Sequence, residues 1–368
     1  MAADIPVMRP LLPKAQRLLP YLEMIDEARW YSNNGPLEQT FQARLAALFG
    51  LATTKPILFS SGTMALQITL AAMARHTPQR KCLMPSWTFP ATALAARAAG
   101  LEPHFADVDE DSWALSPEAV LARPDLDTFA ALVPVAPFGQ VPNLQAWNHV
   151  TRQTGLPVII DAAASFDGLI QSGLTSQSEV PIIVSLHATK TFGIGEGGMV
   201  LTGDPTLARL LYIYKNFGFD GGREAILDGT NGKLSEYHCA VGLAALDEWP
   251  ERRAGFARAQ ALYGEAFATL PMLSTMPGLA SSTVSSTFNV MTPTGSAHLR
   301  TALNKHHIET RQWWGRGCHA QPAFTDSPRD PLPITDRLAD HVLGLPLSAD
   351  LSASEIGAVC AALTTELR

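Results

Sequence analysis

The sequence predicts an α/β protein built on an open, largely parallel sheet. Three observations carry that reading. Short apolar runs recur at 82–84, 132–135, 158–161, 182–185 and 199–202. Helical stretches at 91–99 and 144–154 stand between some of them, and small polar or acidic residues, Ser86, Asp161 and Ser185, close or follow the runs. Unbroken apolar runs suit strands covered on both faces, and ligands of such sheets bind beyond the strands' carboxyl ends.

Composition bounds the rest. A chain of 368 residues exceeds one typical domain, which predicts a large part over 1–249, including an N-terminal arm, and a smaller α/β part over 250–368. The net charge is −7 with Lys and Arg scattered, which argues against a nucleic-acid surface, so any anionic substrate must be met by a few local cations. The start, Met1-Ala2-Ala3-Asp4-Ile5-Pro6, lacks the pattern of a secretory signal, and no apolar run reaches membrane-spanning length. A cytoplasmic protein without membrane contact is expected. Cys82, Cys239, Cys318 and Cys360 are far apart in sequence and form no metal-like spacing, and the adjacent Cys318-His319 cannot make a metal site alone.

In chain order, Pro6, Pro10, Pro13 and Pro20 predict an extended arm rather than a helix. The turn Trp30–Pro36 leads into a helix over 37–49, with Leu37, Phe41, Leu45 and Leu48 at helical spacing. A strand at 57–59 runs into Ser60-Ser61-Gly62-Thr63 and a helix from Met64. Strand, small polar turn and helix form the layout of an anion site, although Ser61 could equally be an ordinary N-cap. A helix over 235–249 is expected to end at Pro250, followed by a long helix over 252–270, a strand over 287–291 and helices at 296–306 and 352–367. The last opens with a capping box, Ser352 to Glu355.

The stretch Val184–Gly198 holds Lys190 between two apolar runs, among Gly193, Gly195, Gly197 and Gly198. A lysine in a Gly-rich loop is ordinarily solvated. One hung between two core strands is costly to bury unless its amine does chemistry, and a neutral amine can attack a carbonyl group.

Asp161-Ala162-Ala163, then Ser185–Lys190, then Gly195-Glu196-Gly197-Gly198 closely resemble the pyridoxal-phosphate sugar aminotransferases of the DegT/DnrJ/StrS family. Asn34-Gly35-Pro36, Ser61–Leu66, Pro85–Thr92, Asp107-Val108-Asp109, Asn216-Phe217-Gly218 and Asn231–Glu236 follow in that family's order, covering about residues 30 to 245. The resemblance implies the type I, aspartate-aminotransferase-like fold and the cofactor pyridoxal 5′-phosphate. It also implies a transaminase that aminates a nucleotide-linked, 4-keto-6-deoxy sugar with glutamate as donor, in deoxyamino-sugar or O-antigen biosynthesis. Within that fold a sugar 3-dehydratase is disfavoured by Lys190, since His stands there in those relatives. An inosose aminotransferase or a non-catalytic regulator that binds the cofactor remains an alternative.

The resemblance also implies roles. Lys190 would hold the cofactor and then move the proton between Cα and C4′, while Asp161 would keep the pyridine nitrogen protonated. Gly62, Thr63 and Ser185 would hold the phosphate, Asn231 would reach the same phosphate from the neighbouring subunit of a homodimer with composite sites, and Phe89 would stack on the ring. Tyr31, in a loop expected at the site mouth, and His187 are substrate candidates, His187 being equally readable as a packing residue. Arg311, beside Trp313 and Trp314, is the first candidate for a substrate anion, with Lys215 and Arg223 as the second group. One departure is Ala164, where the family commonly has Gln bonded to the cofactor's ring oxygen; Ser165 or a water would have to substitute.

Overall fold

The computed structural model describes residues 5–268, 270–278 and 282–367. Its strands are β1 Ile57–Phe59, β2 Lys81–Pro85, β3 Glu102–Ala106, β4 Phe129–Leu132, β5 Ile160–Asp161, β6 Ile182–Ser185, β7 Gly198–Leu201, β8 Ser274–Thr275, β9 Phe288–Met291 and β10 Val342–Leu345. The helices are α1 Ala15–Ala28, α2 Pro36–Leu48, α3 Gly62–Met73, α4 Pro90–Ala98, α5 Pro117–Leu121, α6 Leu144–Thr154, α7 Phe166–Ser172, α8 Pro205–Lys215, α9 Glu236–Asp247, α10 Trp249–Phe267, α11 Ser296–Lys305, α12 Pro333–His341 and α13 Ala353–Glu366.

Two sheets, β1-β7-β6-β5 and β3-β2-β4, are joined by parallel bridges Leu132↔Val158 and Val135↔Asp161, so the strands run in the order β1-β7-β6-β5-β4-β2-β3. β2 pairs parallel with β3 and β4, and β5 with β6. β7 is antiparallel to both β6 and β1. β4, β6 and β7 are buried along their whole lengths, as strands covered on both faces must be. This places the ends of β5 and β6 side by side, with Asp161 paired to Ile183, two residues before Ser185.

A second sheet, β10-β9-β8, is antiparallel; α11 packs on β10, and α13 packs on α11 and α10. Residues 5–7, grouped with the large part in the expected division, hydrogen-bond to this region instead: Ile5 to His307 and Glu309, and the Val7 carbonyl to the Leu347 N–H. Asp167 on α7 ties the two regions together, accepting from Arg253 Nε at 2.7 Å and from the Val284 N–H at 2.8 Å.

The arm is only partly extended, because α1 begins at Ala15 and contains Pro20. Pro20 removes one backbone donor, and the helix is kept by tertiary contacts: Ile25 is buried, and Tyr21 Oη donates to Asp247 at 2.6 Å. The expected helix over 235–249 ends at Asp247, and Pro250 opens α10, where a proline's missing N–H costs nothing. β3 was not anticipated, because Pro103 and His104 break its apolar run. The capping box at Ser352 forms as expected. Among the described residues no helix is long and apolar enough to cross a membrane.

Beside β1, at the edge of the sheet, lies a buried charge network. Lys215, with its side chain 1% exposed, donates to Glu38 Oε1 at 2.8 Å and to the Leu58 carbonyl at 3.0 Å. Glu236, also buried, accepts the first N–H groups of α2, from Leu37 at 2.7 Å and Glu38 at 2.9 Å. Lys215 is therefore structural and not the substrate cation the sequence suggested. Removing one partner of such a pair strands a buried charge. Lys215→Ala is expected to destabilise the protein by about 3 to 5 kcal/mol, whereas Lys215→Met with Glu38→Gln recovers most of the loss; thermal unfolding of the three variants side by side checks this.

Candidate active site

The ends of β4, β5 and β6 and the start of α3 enclose a cavity of about 390 Å³. Lys190 reaches it from the connection between β6 and β7. That loop folds back on itself through bonds from the Leu186 N–H to the Gly197 carbonyl at 2.9 Å, from Ala188 to Gly195 at 2.8 Å and from Ile194 to Leu186 at 2.8 Å. Leu186, Phe192 and Ile194 anchor it in the core. Burial lowers the Lys190 pKa, and the charge of Asp161 opposes that shift.

Asp161 closes β5. Its Oδ2 accepts from Thr92 Oγ1 at 2.8 Å and its Oδ1 from the Ala163 N–H at 3.1 Å. Burial pushes its pKa up, while those two hydrogen bonds and the charge of Lys190 pull it back. Thr92 is itself held by Thr88, at 2.9 Å between hydroxyls.

At another end of the cavity stands the start of α3. Ser61 is its N-cap, accepting from the Met64 N–H at 3.1 Å, so the N–H groups of Gly62 and Thr63 remain for an anion. Two glycines permit this approach. A Cβ on Gly62 would lie 3.1 Å from Ser185 Cβ, and one on Gly198 would lie 2.4 Å from the Gly62 nitrogen. The helix start therefore rests directly on the ends of β6 and β7. The donor set suits a planar group with an anion at one end and a cationic ring nitrogen at the other.

The outer wall is aromatic. Phe138, held with φ of +52°, stacks on Trp314 at 4.0 Å between ring centres, and Trp87 meets Trp314 edge-on at 5.3 Å. Trp313, Ser286, Thr287 and Met8 of the arm complete that side.

The structure thus brings Gly62, Thr63, Phe89, Asp161, Ser185, His187 and Lys190 to one cavity. His187 pairs with Thr189 Oγ1 at 2.8 Å and lies 3.6 Å from Glu196. Tyr31, Asn231 and Arg311 do not line it. Tyr31 is exposed and stacks on Tyr237 at 6.3 Å, and Asn231 is an exposed residue bridged to Asn216. Arg311 is neutralised by Glu309 at 2.8 Å and lies over the Trp313 ring at 5.1 Å, so the neighbouring tryptophans reach the cavity while its guanidinium does not. Arg223 is exposed and also absent from the lining. Ala164 faces the cavity, but Ser165 is buried outside it with no hydrogen-bond partner, so Ser165 does not replace the missing amide.

Sequence reasoning missed Thr92, although it stands three residues after Phe89, one helical turn away. It also missed Phe138, Ser286 and Thr287, which no local pattern marks. Cys318 and His319 diverge: the thiol donates to the Thr88 carbonyl at 3.3 Å and the imidazole pairs with Ser86 Oγ at 2.7 Å. No group of metal ligands forms among the described residues.

Comparison with known proteins agrees with this geometry. The sequence profile of the DegT/DnrJ/EryC1/StrS aminotransferase family matches residues 14–364. The chain is 30% identical to Protein Rv3402c of Mycobacterium tuberculosis over 98% of this chain and 89% of that one. It is 27% identical to the dTDP-4-amino-4,6-dideoxy-D-glucose transaminase of Escherichia coli over 95% of each. The crystal structure of DesI in the presence of its TDP-sugar product superposes with a TM-score of 0.84 at 31% identity, covering 99% of this chain and 93% of that one. The fold is that of the pyridoxal-phosphate-dependent aminotransferases, and the chain belongs to the DegT/DnrJ/EryC1/StrS aminotransferase family.

Proposed function

We propose that this enzyme converts the keto group of a nucleotide-linked sugar, a 4-keto-6-deoxyhexose, to an amine, with glutamate as donor and 2-oxoglutarate as the other product. The observation that carries the reading is the placement of Lys190 and Asp161 in one cavity whose outer wall is broad and aromatic. The names of the E. coli transaminase and of the DesI complex support a nucleotide sugar as substrate.

The cavity suits pyridoxal phosphate. Its phosphate fits the free N–H groups of Gly62 and Thr63 with the Ser185 hydroxyl, and a protonated ring nitrogen supplies the countercharge that buried Asp161 otherwise takes only from Lys190. When bound, the cofactor supplies an electron sink for the pair left as the donor's Cα loses its proton. The protein's part is then positional. Asp161 would hold the proton on the ring nitrogen, and the threonine pair Thr88 and Thr92 keeps its carboxylate aimed. Phe89, which lines the cavity, would cover a face of the ring. The Lys190 amine, whose charged form burial disfavours, would take the Cα proton and return one to C4′.

The second substrate-level element of the proposal is a homodimer. Asn231 stands outside its own protomer's cavity, bridged to Asn216 beside exposed Phe217, while exposed Tyr31 and Tyr237 stack on one another, and exposed aromatic residues of this kind suit a second copy. In that assembly Asn231 serves the partner's phosphate site and Tyr31 its entrance.

Purified protein is expected to carry the visible absorbance of the bound cofactor and to transaminate at least one member of a panel of keto-sugar nucleotides with L-glutamate; Lys190→Ala abolishes both, and a wild type inert toward the whole panel overturns the reading. For the dimer, neither Lys190→Ala nor Asn231→Ala homodimers should work well, yet a mixed dimer should recover activity, because one composite site then contains both intact residues. No recovery in isolated heterodimers would remove shared sites.

A third expectation concerns pH. Because the folded pKa of Asp161 is raised, its ionisation opposes folding of the cofactor-free protein, and stability is lost as pH rises through that window. The stability of cofactor-free Asp161→Asn relative to wild type should therefore climb as pH rises above the ordinary carboxylate range of about 4, and the cofactor should reverse the trend. Parallel unfolding curves across that range would contradict the assignment.

A further inference from the structure

A second, smaller cavity adjoins the first, sharing Met8, Thr189, Lys190 and Ser286 with it. Its volume is about 10 Å³, room for about one water-sized oxygen. The lining brings together Arg9, Arg252 and Lys190 and includes no carboxylate. Three polar atoms of these lining residues are buried without a hydrogen-bond partner: Arg252 Nη1, Arg9 Nε and Thr191 Oγ1.

Arg252 is the unusual member. Its side chain is 8% exposed, and its nearest acid, Glu248 one helical turn back, is 3.7 Å from Nη2, too far for a hydrogen bond and on the other guanidinium nitrogen. Glu248 is shared with Arg17 at 3.4 Å. Arg9, by contrast, has carboxylates on two sides, Glu355 at 2.6 Å from Nη2 and Asp350 at 3.9 Å from Nε. Burial also disfavours the charged form of Arg252. A buried guanidinium N–H left unpaired is expensive, and an acceptor-only oxygen is the group that matches it.

We infer that Arg252, with the Thr191 hydroxyl, receives one oxygen of the amino donor's α-carboxylate. This rests on the transaminase reading: the donor's amine must come to where the Lys190 amine stands, and the carboxylate on the same Cα then falls on the cavity that adjoins that lysine. The sugar substrate carries no carboxylate at the reacting carbon and uses the aromatic side of the main cavity. Arg252 is thus a specificity residue for the acyclic substrate alone. No bond is made or broken by it.

The test uses the holoenzyme and three proteins: wild type, Arg252→Gln and Arg252→Lys. Glutarate, which has the donor's carboxylates and no amine, reads the site independently of turnover by calorimetry. Its affinity should fall about 10- to 100-fold in Arg252→Gln and recover in part in Arg252→Lys. KM for L-glutamate should rise by a similar factor, while KM for the keto sugar moves less than about threefold. Unchanged glutarate affinity in a folded Arg252→Gln that retains cofactor, no glutarate binding by wild type, or equal loss toward both substrates overturns the inference. Failure of the transaminase reading looks different: wild type binds glutarate through Arg252 yet aminates no keto sugar.

Discussion

Burying Asp161 and Lys190 in one cavity costs free energy on both sides, since desolvation raises the first pKa and lowers the second. Each charge softens the penalty of the other without removing it. The consequence is an amine that spends more of its time neutral and a carboxylate that lacks a close cation, which is the state an acid-base site requires. A structure can hold such a pair only if the elements carrying it are fixed by something else. The lysine loop is fixed by three backbone bonds and three buried apolar side chains, and the aspartate by the hydroxyl of Thr92 and the backbone of Ala163.

The remaining framework serves that arrangement. The order β1-β7-β6-β5-β4-β2-β3 puts β6 next to β5, so Ser185 and Asp161 end side by side. Antiparallel β7 returns the chain from the lysine loop and brings Gly198 under the start of α3, where any side chain would displace the helix's free N–H groups. The Glu38–Lys215 pair then ties α2 to α8 and to the carbonyl of Leu58 on β1, and the Lys215 backbone carbonyl accepts the Gly232 N–H. That buried pair is worth little as net stabilisation, but it sets where the segment bearing Asn231 can lie.

Much of this was readable from residue order. The run at 182–185 became β6 and the run at 144–154 became α6 because each is uniform in character and bounded by turn residues. The cavity residues nearest the chemistry were legible for the same reason: they stand at strand ends and a helix start, where local sequence dictates position. What sequence could not reach depends on tertiary partners. Pro20 sits inside α1 because Ile25 and Tyr21 anchor the helix elsewhere, and β7 runs antiparallel because its loop folds back. Arg311 and Lys215 both look like free cations in one dimension, and both are answered by carboxylates distant or local, Glu309 and Glu38. Arg252, which looks like any charge on an amphipathic helix, is buried and left nearly unanswered.

That contrast bears on how one cavity serves two unlike substrates in turn. A transaminase must admit an acyclic acid and a bulky sugar to the same lysine, and uniform affinity for both would make each an inhibitor of the other's step. Here the two sides of Lys190 differ in chemistry. One carries arginine and hydroxyl donors in a space of about 10 Å³, which takes an oxygen but no ring; the other carries Phe138, Trp313 and Trp314 along a space of about 390 Å³, which takes a ring but offers no cation from Arg311. On the proposed reading, shape would reject the sugar from the first, and the lack of an arginine in the lining of the second would leave a donor carboxylate better held in the first. The lysine stands where the two meet, so selectivity lies in the walls while the reacting amine is common to both half-reactions.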